Sequence, residues 1–439
     1  MKLFAITSAL MLVAATGYAQ ADYYYPPNTG NTWQTVTPEE LGWCTDSIQP
    51  MLNFIEANEG RAFIVLHKGR IVLEHYFNGQ GASSPWYWAS AGKTVTGFLV
   101  GKAQENGLLD INQPTSEYLG VGWTAMDPSA EGEIKVIHQL TMTTGLDDSE
   151  ALDCTDPECL TYLAEPGTRW SYHNAPYTLL TSVVESASGQ TINAFLNAQL
   201  NTAIGANVAY FSLDFNRVVW STPREMARFG HLILSNGSWN GTPVMTDPDY
   251  FEAMVTPSQN LNESYGYLWW LNGQSTYMVP GLDLQIPGTM MNHAPADAFF
   301  ALGKNGQFIN VVPSMDLVFI RMGDFPQSSP VPFLHNNDIW SYLSAIVCSE
   351  TAVNDRNELP VLGAGPNPAR DCMVVDFPTD TRSAALYDGQ TGQLVEVFAT
   401  TSGSQMLDLS RVANGLYLLV ASDVNAKLTG APLRVVVQH

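Results

Sequence analysis

The chain has 439 residues, more than one ordinary domain needs, so a large core plus a smaller module is expected. Its formal net charge of -23, carried by only 14% charged residues, disfavours phosphate backbones and anionic lipids as partners, and no nucleic acid is expected to bind. The one sustained apolar run lies at the extreme N-terminus, so no membrane span is predicted.

That run, Phe4 to Ala15, follows the single positive charge of Lys2 and precedes the small residues of Gly17-Tyr18-Ala19. It reads as a secretory signal peptide over residues 1–19. Export to an oxidising compartment turns the cysteines toward disulfides. Cys154 and Cys159 close a short loop, Cys44 and Cys348 pair if the terminal helices of the large domain are neighbours, and Cys372 is left over.

After an extended leader around Tyr23-Tyr24-Tyr25-Pro26-Pro27, Thr37-Pro38-Glu39-Glu40 opens a helix that runs to about Ala57. Phe63 to Leu66 and Ile71 to Leu73 flank His67-Lys68-Gly69-Arg70 as a hairpin, and Ser90 to Asn106 is a helix ended by Gly107. From Leu109 to about Trp270, short helices and loops mix. Strands return at Ala298–Leu302, Phe308–Val312 and Leu317–Ile320 as a meander, followed by a closing helix over Ile339–Ser349. Helices at both ends with strands between them predict an α+β domain, helices packed on an antiparallel sheet. Residues 351–365 lose periodicity and read as a linker. Five short apolar runs between Met373 and Val437 then predict a small C-terminal all-β sandwich.

The chemistry concentrates at Trp88-Ala89-Ser90-Ala91-Gly92-Lys93-Thr94. Three residues apart on a helix, Ser90 and Lys93 share a face. A serine hydroxyl needs a neighbour to take its proton, and a desolvated lysine does so because burial lowers its pKa. Downstream, Tyr172-His173-Asn174 supplies a phenol able to relay a proton to a leaving group, with His173 read as structural. Tyr76-Phe77-Asn78 repeats the tripeptide spacing before the serine, inside the hairpin. No His-Glu-x-x-His and no Gly-x-Ser-x-Gly occurs, so a zinc hydrolase and an α/β-hydrolase are disfavoured and no cofactor or metal is expected.

In these motifs, and in Ile137 to Leu146, Ser221 to Gly230 and Tyr265 to Trp270, the chain resembles the serine beta-lactamase superfamily over about Leu41 to Ser349, especially its esterase, class C beta-lactamase and nylon-oligomer hydrolase branch. The resemblance implies a beta-lactamase/transpeptidase-like fold with a helical subdomain. It implies an acyl-enzyme on Ser90, with Lys93 and Tyr172 sharing base and acid work and Asn174 orienting the substrate or Lys93. The family's third motif fits two registers. Lys304-Asn305-Gly306 would offer a cation to a substrate carboxylate, as lactam antibiotics and D-Ala-D-Ala peptides require. Ala301-Leu302-Gly303, favoured because Asn305-Gly306 is a strong turn signal, would put Gly303 on the strand and let the Lys304 N–H join that of Ser90 as an oxyanion hole.

The expected activity is a serine hydrolase acting on a small-molecule ester or amide. The alternatives are a beta-lactamase or D-Ala-D-Ala carboxypeptidase, and a slowly acylated penicillin-binding sensor. Gly365-Pro366-Asn367-Pro368-Ala369, Leu386 to Gln393 and Ala413 to Leu418 resemble the C-terminal sorting domain of type IX secretion. That likeness implies the type IX machinery as a partner and a secreted or cell-surface location, reached through the periplasm and outer membrane of a Bacteroidetes-type bacterium. The expected organisation is therefore 1–19 signal peptide, 20–350 hydrolase domain, 351–365 linker and 366–439 sorting domain.

Overall fold

Two apolar runs around Lys68-Gly69 form the predicted hairpin, β1 (Gly60–His67) and β2 (Arg70–Tyr76). The computed structural model describes residues 23–149, 153–326, 331–347, 360, 362–389, 394–423, 429–430 and 432–439. The expected signal peptide, Cys348 and most of the expected linker lie outside them.

β1 does not stay at an edge. It pairs antiparallel with β6 (Leu317–Gly323), Ile64 opposite Ile320, and β6 continues through β5 (Gln307–Val312) and β4 (Phe299–Gly303) to the short β3 (Trp270–Leu271). The sheet is six-stranded, in the order β2-β1-β6-β5-β4-β3. β5 and β6 are buried along their whole length, as strands covered on both faces must be.

Adjacent strand residues point to opposite faces, and Val318 and Phe319 show what covers each. Phe319 packs on Trp340 of α5 (Phe333–Val347), which lies beside α1 (Ile48–Ala57). Val318 sits under Gly230 of α4 (Pro223–Leu234), whose start is fixed by a capping box between Thr222 and Glu225. α2 (Lys93–Glu105) and α3 (Asn174–Ser188) pack together, and α2 buries Val95, Phe98, Leu99 and Ala103.

α1 begins at Ile48 and not at Pro38. Thr37 and Glu40 do exchange capping hydrogen bonds, but Gly42 at φ 71° turns the chain before a helix can propagate. The leader is tied to the hairpin turn, with Tyr24 N donating to Lys68 O (2.9 Å) and the Tyr23 hydroxyl to Asp316 (2.7 Å). α5 starts earlier than expected, at Phe333.

The C-terminal module is a sandwich of a three-stranded sheet, β7-β8-β11, on a four-stranded one, β10-β9-β12-β13. The strands are β7 (Gly363–Gly365), β8 (Cys372–Phe377), β9 (Ser383–Asp388), β10 (Leu394–Ala399), β11 (Gly403–Asp408), β12 (Gly415–Ser422) and β13 (Leu433–Val437). β7 falls inside the stretch read as linker, and β11 carries no apolar alternation that would announce it. The module has its own core around Val375, Leu386, Leu419 and Val435. It meets the large domain where Val420 packs on Ile286, with Tyr277, Leu282, Tyr387 and Leu418 around them. An apolar recess at this junction is lined by Tyr277, Phe333, Tyr387 and Leu418, and none of the predicted site residues borders it. No described helix is long and apolar enough to cross a membrane.

Candidate active site

Ser90 lies in a single 3-10 turn, Ala89–Gly92, that leads straight into α2, so the serine stands at the helix entrance with Lys93 as its first α-helical residue. The turn is strained: Ala89, a non-glycine residue, has φ 45°. Trp88 anchors it from below, fully buried and donating its indole N–H to Ser221 Oγ at 2.9 Å.

The serine and lysine meet as the spacing predicts. Lys93 Nζ is 2.8 Å from Ser90 Oγ and 2.9 Å from Asn174 Oδ1. Burial pushes the Lys93 pKa well below its ordinary value, while the negative charge of Asp153 acts in the opposite sense. A neutral amine has two hydrogens and one lone pair. Asn174 Oδ1 accepts an N–H, which leaves the lone pair available to the Ser90 hydroxyl. The amine also lies 3.8 Å over the Tyr177 ring and 4.8 Å from that of Tyr172, faces that favour the ammonium and moderate the effect of burial.

Tyr172 is buried and its hydroxyl faces the serine. Desolvation raises its pKa, and the Ser90 hydroxyl partly offsets that rise, so Tyr172 remains a phenol at neutral pH. Its ring stacks on Trp270 (5.4 Å, 27°) and meets Tyr265 edge-on (6.4 Å). Trp269 is fully buried in the core. Trp270 therefore backs the Tyr172 ring, and Trp269 belongs to the core with Phe229 and Phe299. Tyr76, of the decoy tripeptide, hydrogen-bonds Glu74 instead.

β4 closes the other side of Ser90. A Cβ added to Gly303 would lie 2.5 Å from Trp88 O and 3.1 Å from Ser90 N, so only glycine allows the strand this close to the serine turn. Ala301 and Leu302 are strand residues, whereas Lys304-Asn305-Gly306 forms the turn into β5, with Asn305 at φ 63° and its amide donating to the Tyr87 hydroxyl (2.7 Å). The Lys304 side chain is exposed. Ser90, Lys93, Tyr172 and Asn174 thus converge with Gly303, while the ammonium of Lys304 sits on the turn.

Sequence reasoning passed over Tyr177 and Asp153. Tyr177 was visible in principle, since it follows Asn174 by three on α3 as Lys93 follows Ser90. Asp153 carries no such signal. It accepts from Asn174 Nδ2 at 3.4 Å and directly precedes Cys154, which is disulfide-bonded to Cys159 as expected. Cys44 is also in a disulfide, and its backbone N–H donates to Ile346 O (2.7 Å), two residues before the expected partner Cys348. Cys372 is free and exposed. No group of three or more His, Cys, Asp or Glu side chains suited to a metal occurs among the described residues.

Residues 53–329 match the family described as Beta-lactamase, and residues 365–435 match the Secretion system C-terminal sorting domain. The 6-aminohexanoate-dimer hydrolase of Paenarthrobacter ureafaciens is 22% identical over 314 residues, 60% of this chain and 72% of that protein. Among solved structures, a Bacillus anthracis protein provisionally assigned as a 6-aminohexanoate-dimer hydrolase superposes with a TM-score of 0.57 at 19% identity, covering 73% of this chain and 90% of that one. A family VIII carboxylesterase superposes with a TM-score of 0.51 at 13% identity, covering 68% and 97%. At these identities the structures speak for the fold: an antiparallel sheet flanked by helices, followed here by a strand-rich C-terminal module.

Proposed function

The chain belongs to the beta-lactamase family, and from that premise we propose that it is an exported serine hydrolase cleaving a neutral ester or amide through an acyl-enzyme on Ser90. The observation that carries the proposal is the contact of a fully buried Lys93 Nζ with Ser90 Oγ at 2.8 Å, in surroundings that push the lysine pKa well below its ordinary value. Lys93 takes the Ser90 proton as Oγ attacks the carbonyl carbon. The developing oxyanion is held by the N–H groups of Ser90 and Lys304, two donors fixed by the closeness of Gly303 to the serine turn. Collapse of the tetrahedral intermediate breaks the C–O or C–N bond; Tyr172 gives its proton to the departing alcohol or amine and regains one from the Lys93 ammonium, which leaves Lys93 neutral again. Water then attacks the acyl-enzyme and its proton passes to Lys93; collapse of the second tetrahedral intermediate breaks the ester bond to Ser90 Oγ, which takes that proton back as the acid departs.

The substrate class rests on the third motif. With Lys304 on an exposed turn, the strand beside Ser90 offers backbone N–H groups and apolar side chains, which suits a neutral acyl group better than a carboxylate-bearing lactam. The 6-aminohexanoate-dimer hydrolase that the chain resembles in sequence, and the carboxylesterase that shares its fold, agree with that class. The sorting domain supports release or display outside the cell by way of the periplasm and outer membrane, with the type IX machinery as partner.

Incubation with a fluorophosphonate and with short nitrophenyl esters tests the activity. Labelling and ester turnover that both vanish in Ser90→Ala are expected. Labelling of Ser90 without any turnover would leave only a slowly acylated binder, and efficient nitrocefin turnover would move the substrate class to lactams.

A further inference from the structure

Asn174 has to present its carbonyl oxygen, and not its amide nitrogen, to Lys93, and nothing within the side chain decides which way the amide points. The decision comes from Asp153. Asn174 Nδ2 donates to Asp153 Oδ1 at 3.4 Å while Oδ1 accepts from Lys93 Nζ at 2.9 Å. A carboxylate accepts and does not donate, so its presence fixes the donor end of the amide outward and the acceptor end inward.

We propose that Asp153 is a positioning residue for the Ser90–Lys93 pair: through Asn174 it orients the acceptor that holds Lys93. The inference rests on the hydrolase reading above. It takes an exposed loop residue of no assigned role and ties it to the catalytic amine across one side chain.

The groups facing Lys93 are few. From its own turn comes the Ser90 hydroxyl, from the segment ahead of α3 the Tyr172 ring, and from α3 itself Asn174 and the Tyr177 ring. Asp153 comes from the position just ahead of the Cys154–Cys159 loop, and among the described residues it is the charged group whose field reaches the amine. Arg169, the cation nearest in sequence to Tyr172, is held by Asp148 (2.7 Å) and Asp283 (2.9 Å). Lys304 is exposed on its turn. The Cys154–Cys159 bridge begins at the residue after Asp153, so the carboxylate hangs from a cross-linked loop and not from a free one.

Removing the charge has two effects of opposite sign. A lysine relieved of a neighbouring anion releases its proton more readily, so the acid limb of the activity profile moves to lower pH. An amide no longer held by a carboxylate samples the wrong orientation, so the plateau rate falls. A purely structural lesion would lower the rate at every pH and leave the limb in place.

The experiment measures fluorophosphonate labelling of Ser90 against pH in the full chain, for wild type, Asp153→Asn, Asp153→Glu and Asp156→Asn. The last removes a carboxylate from inside the adjoining Cys154–Cys159 loop and controls for the general surface field. Asp153→Asn should move the acid limb down by about half a pH unit or more and lower the plateau by about threefold to tenfold. Asp153→Glu should restore the limb, and Asp156→Asn should leave it unmoved. An unshifted limb in Asp153→Asn, or an equal shift in Asp156→Asn, overturns the role of Asp153. A wild-type chain that no fluorophosphonate labels at any pH overturns the hydrolase reading instead, so the two failures are distinct.

Discussion

Lys93 is buried at the head of α2, where an apolar side chain would be more comfortable. Because its folded pKa lies well below 10.5, in the window between the two values the unfolded chain carries a proton that the folded chain has shed. Stability therefore rises with pH across that window and is lost as pH falls. Lys93→Met keeps the volume and removes the titration. It should abolish fluorophosphonate labelling, raise the melting temperature at neutral pH by a few degrees, and flatten the rise of melting temperature with pH below the ordinary lysine pKa. A variant that is inactive but less stable than wild type would contradict the desolvation argument. At this scale the sequence was readable where chemistry follows spacing, as in Ser90, Lys93 and Tyr172-His173-Asn174. It was mute where partners arrive from distant loops: no periodicity links Asp153 to Asn174, and only the folded chain brings them together.

The turn between β4 and β5 shows how one buried residue governs an element. Arg321 on β6 is fully buried and spends its guanidinium on four backbone carbonyls: Asn305 (3.1 Å) and Gly306 (2.8 Å) in the turn, and Asn58 (2.7 Å) and Asp324 (2.8 Å) across the sheet end. Burial lowers its pKa to about 9, the direction expected for a cation paired with dipoles instead of a contacting carboxylate. The turn it braces follows directly on the Lys304 N–H. Arg321→Lys retains a cation but not the planar fork. It should lower kcat for nitrophenyl esters about tenfold with little change in KM, because a loosened donor hurts the oxyanion more than the bound ester. An equal loss in both constants would place Arg321 outside the oxyanion argument. Element-level legibility was uneven for physical reasons. The hairpin, the meander and α2 carry strong apolar patterns. The segment from Pro38 imitates a helix start and stops at Gly42, and β11 buries only Leu407 while Met406 beside it is exposed, too little alternation to be recognised.

On the scale of the molecule, the sorting module and the hydrolase domain touch through a small apolar contact centred on Val420 and Ile286, with Arg434 and Asp338 3.5 Å apart at its margin. Val420 belongs to that contact and not to the module's own core, so Val420→Asp should separate the domains without unfolding either. Calorimetry should resolve two transitions with ester turnover unchanged, and a single cooperative transition would mean the domains are coupled by more than this patch. The expected division rests on the change in composition around residue 350, and short, glycine-rich β7 at Gly363–Gly365 lies within the stretch read as linker because it has no apolar pattern to announce it.

The order of the six strands carries a consequence in time. β1 and β2 emerge early, yet β1 finds its second neighbour only when β6 arrives, Ile64 opposite Ile320. Closing so long a loop is slow, and until it closes the hairpin has an open edge and Gly303 has no sheet to hold it against Ser90. The arrangement that sets Gly303 against Ser90 therefore assembles only when nearly the whole domain is present, a delay written into the order of the strands.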